Sequence, residues 1–166
     1  MNAVFKRRSI RKYTDQKIRD DVVEHLLKAA MAAPSARNLQ PWEFIVIDDK
    51  KILAKIPDIH PYAAMAAQAS VAILVCGKPN DETSKSYWVQ DCAAATENIL
   101  IEVATLDLGA VWCGIHPRKP REEGMRDLLG IPEDVTPFSL VVIGHPAEEK
   151  GPSDRYDPAR VHKNHW

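Results

Sequence analysis

The chain has 166 residues, enough for one domain whose core needs neither disulfides nor metal. Its 22 Lys and Arg nearly balance 23 Asp and Glu, which argues against nucleic-acid binding, and 45% apolar residues are typical of a globular protein. We expect no membrane segment or signal peptide, because no apolar run approaches the ~20 residues that span a bilayer. The three cysteines form no Cys-x-x-Cys pair, which favours a reducing compartment and predicts a cytoplasmic protein.

Helices and strands alternate along the chain. In chain order, the pattern predicts a helical turn at residues 3–8, a helix from Asp20 or Asp21 to Pro34, a strand at 42–47, a helix at 50–56, a strand at 71–76, a helix from Ser84 or Ser86 to 106, a strand at 109–115, a helix at 120–129 and a strand at 138–144. The named Asp and Ser residues are expected to be the helix N-caps. This order predicts an α/β or α+β sheet covered by helices.

A basic segment follows the first helical turn. Residues 6–12 carry five cations and no acid, with Arg7, Arg8 and Arg11 spaced around Ser9. Guanidinium groups match the geometry of phosphate and a hydroxyl adds a neutral donor, so this segment can bind a phosphate. The alternative is a solvated basic surface, which the charges alone favour.

A polar loop bounded by Pro34 and Pro41 joins the second helix to the first strand. It offers backbone N–H groups, the Ser35 hydroxyl and the carboxamides of Asn38 and Gln40. A ring with several heteroatoms, such as a flavin or a nucleotide base, can use such groups. The alternative is an ordinary turn in which the two carboxamides bond their own backbone, and the spacing alone favours it.

Two further segments are candidates for ligand binding. Gly109 and Gly114 bracket the third strand, where a glycine lets the backbone approach a ligand, although a helix end and a bulge would also explain them. In the polar tail, Arg155 or Arg160 can complete an anion site, unless the tail is disordered on the surface. The tail ends in Trp166, which docking on a partner subunit would explain.

Motifs of other chemistries are absent from the sequence. It has no Gly-x-Gly-x-x-Gly and no Walker loop, which disfavours a Rossmann dinucleotide site and an NTPase, and it has no Gly-x-Ser-x-Gly. Of six histidines only His162 and His165 have ligand-like spacing, and we expect no metal site. No carboxylate pair stands out as acid and base. If the protein is an enzyme, a bound cofactor is expected to carry the chemistry.

In this order and spacing, the segments resemble the nitroreductase family of FMN proteins, in particular its short subgroup. Arg-Arg-Ser-Ile-Arg-Lys-Tyr, from residue 7, resembles the family's phosphate motif, and residues 34–42 resemble its isoalloxazine loop. Residues 106–114 resemble the end of its central helix and its flavin strand. The resemblance implies an α+β fold, a three-layer α/β/α sandwich with a mostly antiparallel sheet. It further implies one FMN-binding domain over residues 1–166, whose C-terminal tail wraps the partner subunit of a homodimer.

The resemblance also implies which residues bind FMN. Those at the phosphate and ribityl chain are Arg7, Arg8, Ser9 and Arg11. Those that reach the flavin from the other subunit are Pro34, Ser35, Ala36 and Asn38. Those on the flavin strand are Trp112, Cys113 and Gly114, and the backbone of Cys113 and Gly114 lies at the ring, near its redox-active N5. For the tail cation at the phosphate, the first choice is Arg155 and the second is Arg160.

The implied activity is hydride transfer from NAD(P)H to a small oxidant, such as a nitroaromatic or a quinone, by a ping-pong mechanism. The flavin N5 carries the chemistry and no side chain is catalytic. We interpret Cys113 as a small residue chosen for fit rather than a reactive thiol. Alternatives are a non-catalytic FMN-binding sensor, a dehalogenase-like or flavin-processing enzyme, and a scaffold without a cofactor.

The sequence also departs from the family pattern. Ala36 stands where a second serine is common, and Trp112 and Cys113 differ from the residues of better-known members. The segment between Cys76 and Tyr87 is too short for the helices that cover the substrate in larger members. The pocket over the flavin is therefore expected to be open.

Overall fold

The four predicted strands form one antiparallel sheet in the computed structural model, which describes residues 2–166. The strands are β1 (Trp42–Ile47), β2 (Val71–Gly77), β3 (Gly109–Gly114) and β4 (Thr136–Gly144). Their order across the sheet is β1-β2-β4-β3, so β2 and β4 are central. Their central place explains their apolar sequences, because β2 is buried at every residue and β4 at every residue but Thr136.

The helices agree with the predicted order, but several of their ends differ. Within residues 2–166 the α-helices are α1 (Ala3–Lys6), α2 (Asp20–Met31), α3 (Lys50–Leu53), α4 (Ile56–Ile59), α5 (Glu82–Thr105) and α6 (Lys119–Leu129). Short 3₁₀ turns lie at Ala36–Asn38, Ala64–Gln68 and Pro158–Arg160. The helix predicted at residues 50–56 is therefore two separate turns, α3 and α4. None of these helices has the length and apolar character needed to cross a membrane.

The predicted N-caps of α2 and α5 were wrong. Arg19 is the N-cap of α2 and makes no side-chain cap bond, while Asp20 and Asp21 lie in the first turn, where carboxylates interact favourably with the helix dipole. Asp81 is the N-cap of α5, and its carboxylate accepts the Ser84 N–H at 2.7 Å. Ser84 instead takes the reciprocal place in this capping box, since its hydroxyl accepts the Asp81 N–H at 2.9 Å.

The sheet separates two apolar layers. Even-numbered residues of β2, such as Leu74, pack with Leu53, Ile56 and Met125 of α3, α4 and α6. Odd-numbered residues of β2 pack with α2 and α5 on the opposite face. This alternation confirms the three-layer α/β/α sandwich and the antiparallel sheet.

The basic N-terminal segment is fixed along the outer edge of β3. The Ile10 N–H donates to the Ala110 carbonyl at 2.9 Å. The single proton of the buried Tyr13 hydroxyl is shared between the Ile10 and Val142 carbonyls, at 2.7 and 3.0 Å. Gly109 is explained here rather than by a helix end, because a Cβ at this position would lie 2.7 Å from the Ile10 side chain. The fold thus brings the predicted phosphate segment beside the predicted flavin strand.

Candidate functional site

The outer edge of β3 presents backbone groups beyond the point where the N-terminal segment pairs with it. The Ala110 carbonyl points outward to that segment, whereas the Ile115 N–H donates to a β4 carbonyl at 3.1 Å. Alternate residues of an antiparallel strand direct their backbone groups to opposite sides. Trp112 and Gly114 therefore direct theirs away from β4, to the open edge.

An open cavity of about 470 Å³ lies against these groups. We call it the edge cavity; its lining residues are Arg11, His60, Tyr62, Val111, Trp112, Cys113, Gly114 and Arg121. A Cβ built on Gly114 would have no heavy atom within 4 Å, and Gly114 does not have a positive φ. Neither packing nor backbone conformation among residues 2–166 requires this glycine, and the absence of a Cβ leaves room for a ligand to approach the strand.

The Gly114 carbonyl is held by two side chains. Arg121 Nη1 donates to it at 2.8 Å, and His60 Nε2 lies 3.1 Å from it. His60 Nδ1 accepts the Tyr62 N–H at 3.2 Å, so Nε2 carries the proton and donates. Burial and the nearby Arg121 charge lower the pKa of His60, which favours this neutral form.

Cys113 is a buried, neutral thiol. Burial raises the pKa of Cys113 to about 11, although Arg11 and Arg121 act in the opposite direction. A thiol rather than a thiolate is therefore present near neutral pH, and a thiol is a poor nucleophile. The geometry supports the interpretation of Cys113 as a residue that fits the strand into its surroundings.

The basic segment lines a second cavity, of about 270 Å³, which we call the basic cavity. Arg7 and Arg8 line it, together with Lys150. Lys150 Nζ donates to the Ser9 carbonyl at 2.7 Å, which brings a further cation to the segment. Arg7 lies 3.4 Å from Glu97, whereas Arg8 forms no ion pair within residues 2–166. Asp107, Glu148 and Glu149 also line this cavity, and Lys150 pairs with Glu148 at 3.3 Å, so Arg8 is its one cation without an ion pair within residues 2–166.

The loop after α2 is anchored to α5 and is strained. The Ala36 N–H donates to the Asp91 carboxylate at 3.0 Å, and the other oxygen of that buried carboxylate has no hydrogen-bond partner within residues 2–166. Arg37, Asn38 and Gln40 all have positive φ values, between 49° and 57°. Asparagine adopts this conformation readily, whereas for Arg37 and Gln40 it is uncommon and carries strain, of the kind that clusters at binding sites.

Comparison with known proteins decides the family. A sequence model described as "Nitroreductase family" matches residues 4–60 and 58–145, which together are most of the chain. The chain belongs to the nitroreductase family. It is 46% identical over 166 residues to the "Putative NADH dehydrogenase/NAD(P)H nitroreductase" of Methanothermobacter thermautotrophicus. This match covers 100% of this chain and 87% of that protein.

Solved structures of related proteins share the fold. One from Clostridium acetobutylicum, titled "Putative NADH Oxidase", is 39% identical with a TM-score of 0.94, and the match covers 99% of each chain. An "FMN-dependent Nitroreductase" from Clostridium difficile R20291 is 30% identical with a TM-score of 0.90, again over 99% of each chain. The nitroreductase fold implied by the sequence resemblance is thereby confirmed.

The structure distributes the predicted residues of this nitroreductase over three places. Those at the edge cavity are Arg11, Trp112, Cys113 and Gly114. Those at the basic segment are Arg7, Arg8 and Ser9. Those that line neither cavity of their own chain are Pro34, Ser35, Ala36, Asn38, Arg155 and Arg160. Arg155 is exposed, and Arg160 pairs with Asp157 at 3.2 Å, so the structure brings neither tail cation to the basic cavity.

Sequence reasoning missed several residues of the site. His60, Tyr62 and Arg121 line the edge cavity, and Lys150 joins the basic segment. Asp91 anchors the loop of residues 34–41. A buried acid in an Ala-rich helix is a usable signal for Asp91, since ionisable residues are rarely buried without a role.

Proposed function

We propose that this chain binds FMN at a site shared by two copies of itself and uses it to reduce a small oxidant with NAD(P)H. The observation that carries the proposal is Gly114, which lines the edge cavity with no Cβ, so that its backbone is open to a ligand. Membership of the family and the names of its relatives support the same reading. The chemistry that FMN supplies when bound is hydride transfer from NAD(P)H to an acceptor such as a nitroaromatic or a quinone, in a ping-pong sequence.

The groups of the edge cavity fit a flavin ring. Backbone N–H groups of Trp112 and Gly114 can donate to ring heteroatoms, and would stabilise negative charge on the ring as the donors of an oxyanion hole do. Arg11 lines the same cavity, so its positive charge would stabilise the negative charge of a reduced flavin bound there. No side chain here is required as an acid or base, and the neutral Cys113 thiol is consistent with a role in fit.

The basic cavity fits the phosphate end of the cofactor. Arg7, Arg8 and Ser9 are the residues that would hold the phosphate and ribityl chain, with Lys150 beside them. We place Arg155 as the further phosphate cation, with Arg160 as the second choice. Because guanidinium forks match phosphate oxygens, loss of these side chains should cost cofactor binding more than folding.

A second copy of the chain completes the site in this proposal. The strained loop with Pro34, Ser35, Ala36 and Asn38 lines neither cavity of its own chain, which agrees with a role at the partner's flavin. The tail is exposed to its last residue, and among residues 2–166 the aromatic partner of Trp166 is His162. Wrapping the tail around the partner would bury this apolar surface. The three cysteines are free, as in the reducing cytoplasm that we propose as its location.

The test is anaerobic reduction of the purified protein with bound FMN. We expect the yellow colour of FMN to bleach on mixing with NADH or NADPH and to return when a nitroaromatic or a quinone is added. Binding of FMN without bleaching by either donor would contradict the reductase and support a non-catalytic FMN-binding protein. Failure to bind FMN would overturn the whole proposal.

A further inference from the structure

The last peptide of β3 is held from two sides. The Ile115 N–H of this peptide donates to a β4 carbonyl at 3.1 Å. Its carbonyl, from Gly114, accepts from Arg121 at 2.8 Å and from His60 at 3.1 Å. Pairing within the sheet requires neither side-chain donor, because this carbonyl lies at the open edge of β3. Both donors come from residues outside the sheet.

Each of the two donors is itself fixed. His60 is 3% exposed, and its Nδ1 accepts the Tyr62 N–H at 3.2 Å, which determines both the ring orientation and the tautomer. The Arg121 guanidinium lies over the Tyr62 ring, 5.9 Å from its centroid. His60, Tyr62 and Arg121 thus form one unit, which we call the carbonyl clamp, on the wall of the edge cavity.

We propose that the carbonyl clamp positions the backbone of Gly114 for the flavin. The proposal rests on the proposed function, because it assigns to His60 and Arg121 the orientation of a strand end that meets the cofactor. Fixing the Gly114 carbonyl also restricts the adjoining N–H of the same residue, which points to the open edge. His60 and Arg121 are therefore positioning residues, and the group that they position is the backbone of Gly114.

The positioning effect can be large although the clamp contacts the ring only through the strand. A displacement of ~1 Å at a reacting centre can cost about 100-fold in rate. We expect replacement of either donor to slow flavin reduction by NAD(P)H at least about tenfold. The apparent KM for the nicotinamide should change much less, because the nicotinamide itself gains or loses no contact.

The test compares His60→Leu and Arg121→Met with His60→Gln, which keeps an N–H donor near the place of Nε2. Arg118→Met is the matched control, because Arg118 is exposed at the start of the same helix, α6, and its replacement removes the same charge. Thermal melting first establishes that each variant folds. If His60→Leu does not fold, then Arg121→Met and His60→Gln carry the comparison.

Two readouts separate positioning from general damage. In the protein without FMN, the Gly114 and Ile115 amide resonances should shift in His60→Leu and Arg121→Met, and the Ile115 amide, which is bonded to β4, should exchange faster. Both should stay near wild type in His60→Gln and Arg118→Met. In the protein with FMN, the rate constant of reduction should follow the same order. Variants of His60 and Arg121 that match Arg118→Met in both readouts would overturn the clamp. If wild-type protein fails to bind FMN, the proposed function fails. The amide resonances of the protein without FMN then still test whether the clamp fixes the end of β3.

Discussion

Two glycines at the ends of neighbouring strands should respond to alanine in opposite ways. At Gly114 a Cβ meets no heavy atom within 4 Å, so Gly114→Ala should fold with unchanged stability or gain about 0.4–1 kcal/mol from the less flexible unfolded chain. The added methyl would hold the FMN ring away from the strand. Each backbone hydrogen bond lost is worth about 0.5–1.5 kcal/mol, which raises the Kd for FMN about 2-fold to 13-fold.

The matched control is Gly144→Ala, in β4. A Cβ at Gly144 would lie 2.6 to 2.8 Å from atoms of the Tyr13 side chain. Tyr13 cannot move aside easily, because it is buried and its hydroxyl is bonded to two main-chain carbonyls. Overpacking of this kind costs about 1–3 kcal/mol, and for a chain of this length each kcal/mol lowers Tm by about 2–4 °C. The expected fall in Tm is therefore about 2–12 °C.

The two variants are measured by thermal melting of the protein without FMN and by quenching of FMN fluorescence on titration. Gly114→Ala should keep its Tm and lose FMN affinity, whereas Gly144→Ala should lose Tm. If Gly114→Ala binds and reduces FMN as wild type does, the flavin does not approach β3 at this residue, and our reasoning from the bare backbone is refuted.

Three further changes give separate tests. Cys113→Ser should change turnover by less than about twofold, since the thiol is neutral and inert packing is the usual role of a buried cysteine; loss of turnover would show a chemical role. Burial raises the pKa of Glu122, but hydrogen bonds with Lys119 and His116 outweigh burial, so the pKa is lowered overall. The ionised carboxylate therefore stabilises the fold above the ordinary Glu pKa, and this contribution is lost as the pH falls through the folded pKa. The free energy of unfolding, measured with urea, should therefore fall more steeply below about pH 4.3 in the wild type than in Glu122→Gln. The same pH dependence in both proteins would contradict this. Tyr13→Phe leaves the buried Ile10 carbonyl without the hydroxyl donor and should cost about 1–3 kcal/mol by urea unfolding, against no measurable change if water replaces the hydroxyl.

The sheet was predictable from sequence, while the helix ends were not. The unbroken apolar run of residues 71–76 is as expected of a strand buried on both faces, and this strand is central in the sheet. At α5, Asp81 and Ser84 are both good N-cap residues, and the choice depends on which one leaves helical geometry. Asp81 does so with an extended backbone, and Ser84 then bonds back to it.

The candidate site was predictable where its residues are consecutive in sequence. The basic segment and the end of β3 could each be recognised as a short motif, and the fold brings Ile10 against Ala110 to join them. His60 and Arg121 could not be predicted, because they lie 54 and 7 residues from Gly114 and no local pattern marks them. Such contacts depend on the tertiary arrangement of α6 and the segment after α4.

The central claim, a flavin site shared by two chains, is tested most directly with mixed dimers. One chain carries Arg8→Ala and Arg11→Ala, and the other carries Ala36→Leu and Asn38→Ala in the partner-facing loop. Each variant alone should form dimers that NAD(P)H does not bleach. A mixed dimer, isolated by two different tags, has one site with all four native residues and should show about half of the wild-type flavin reduction, since a symmetric dimer has two equivalent sites. A mixed dimer that stays unbleached while wild type bleaches would contradict the shared site.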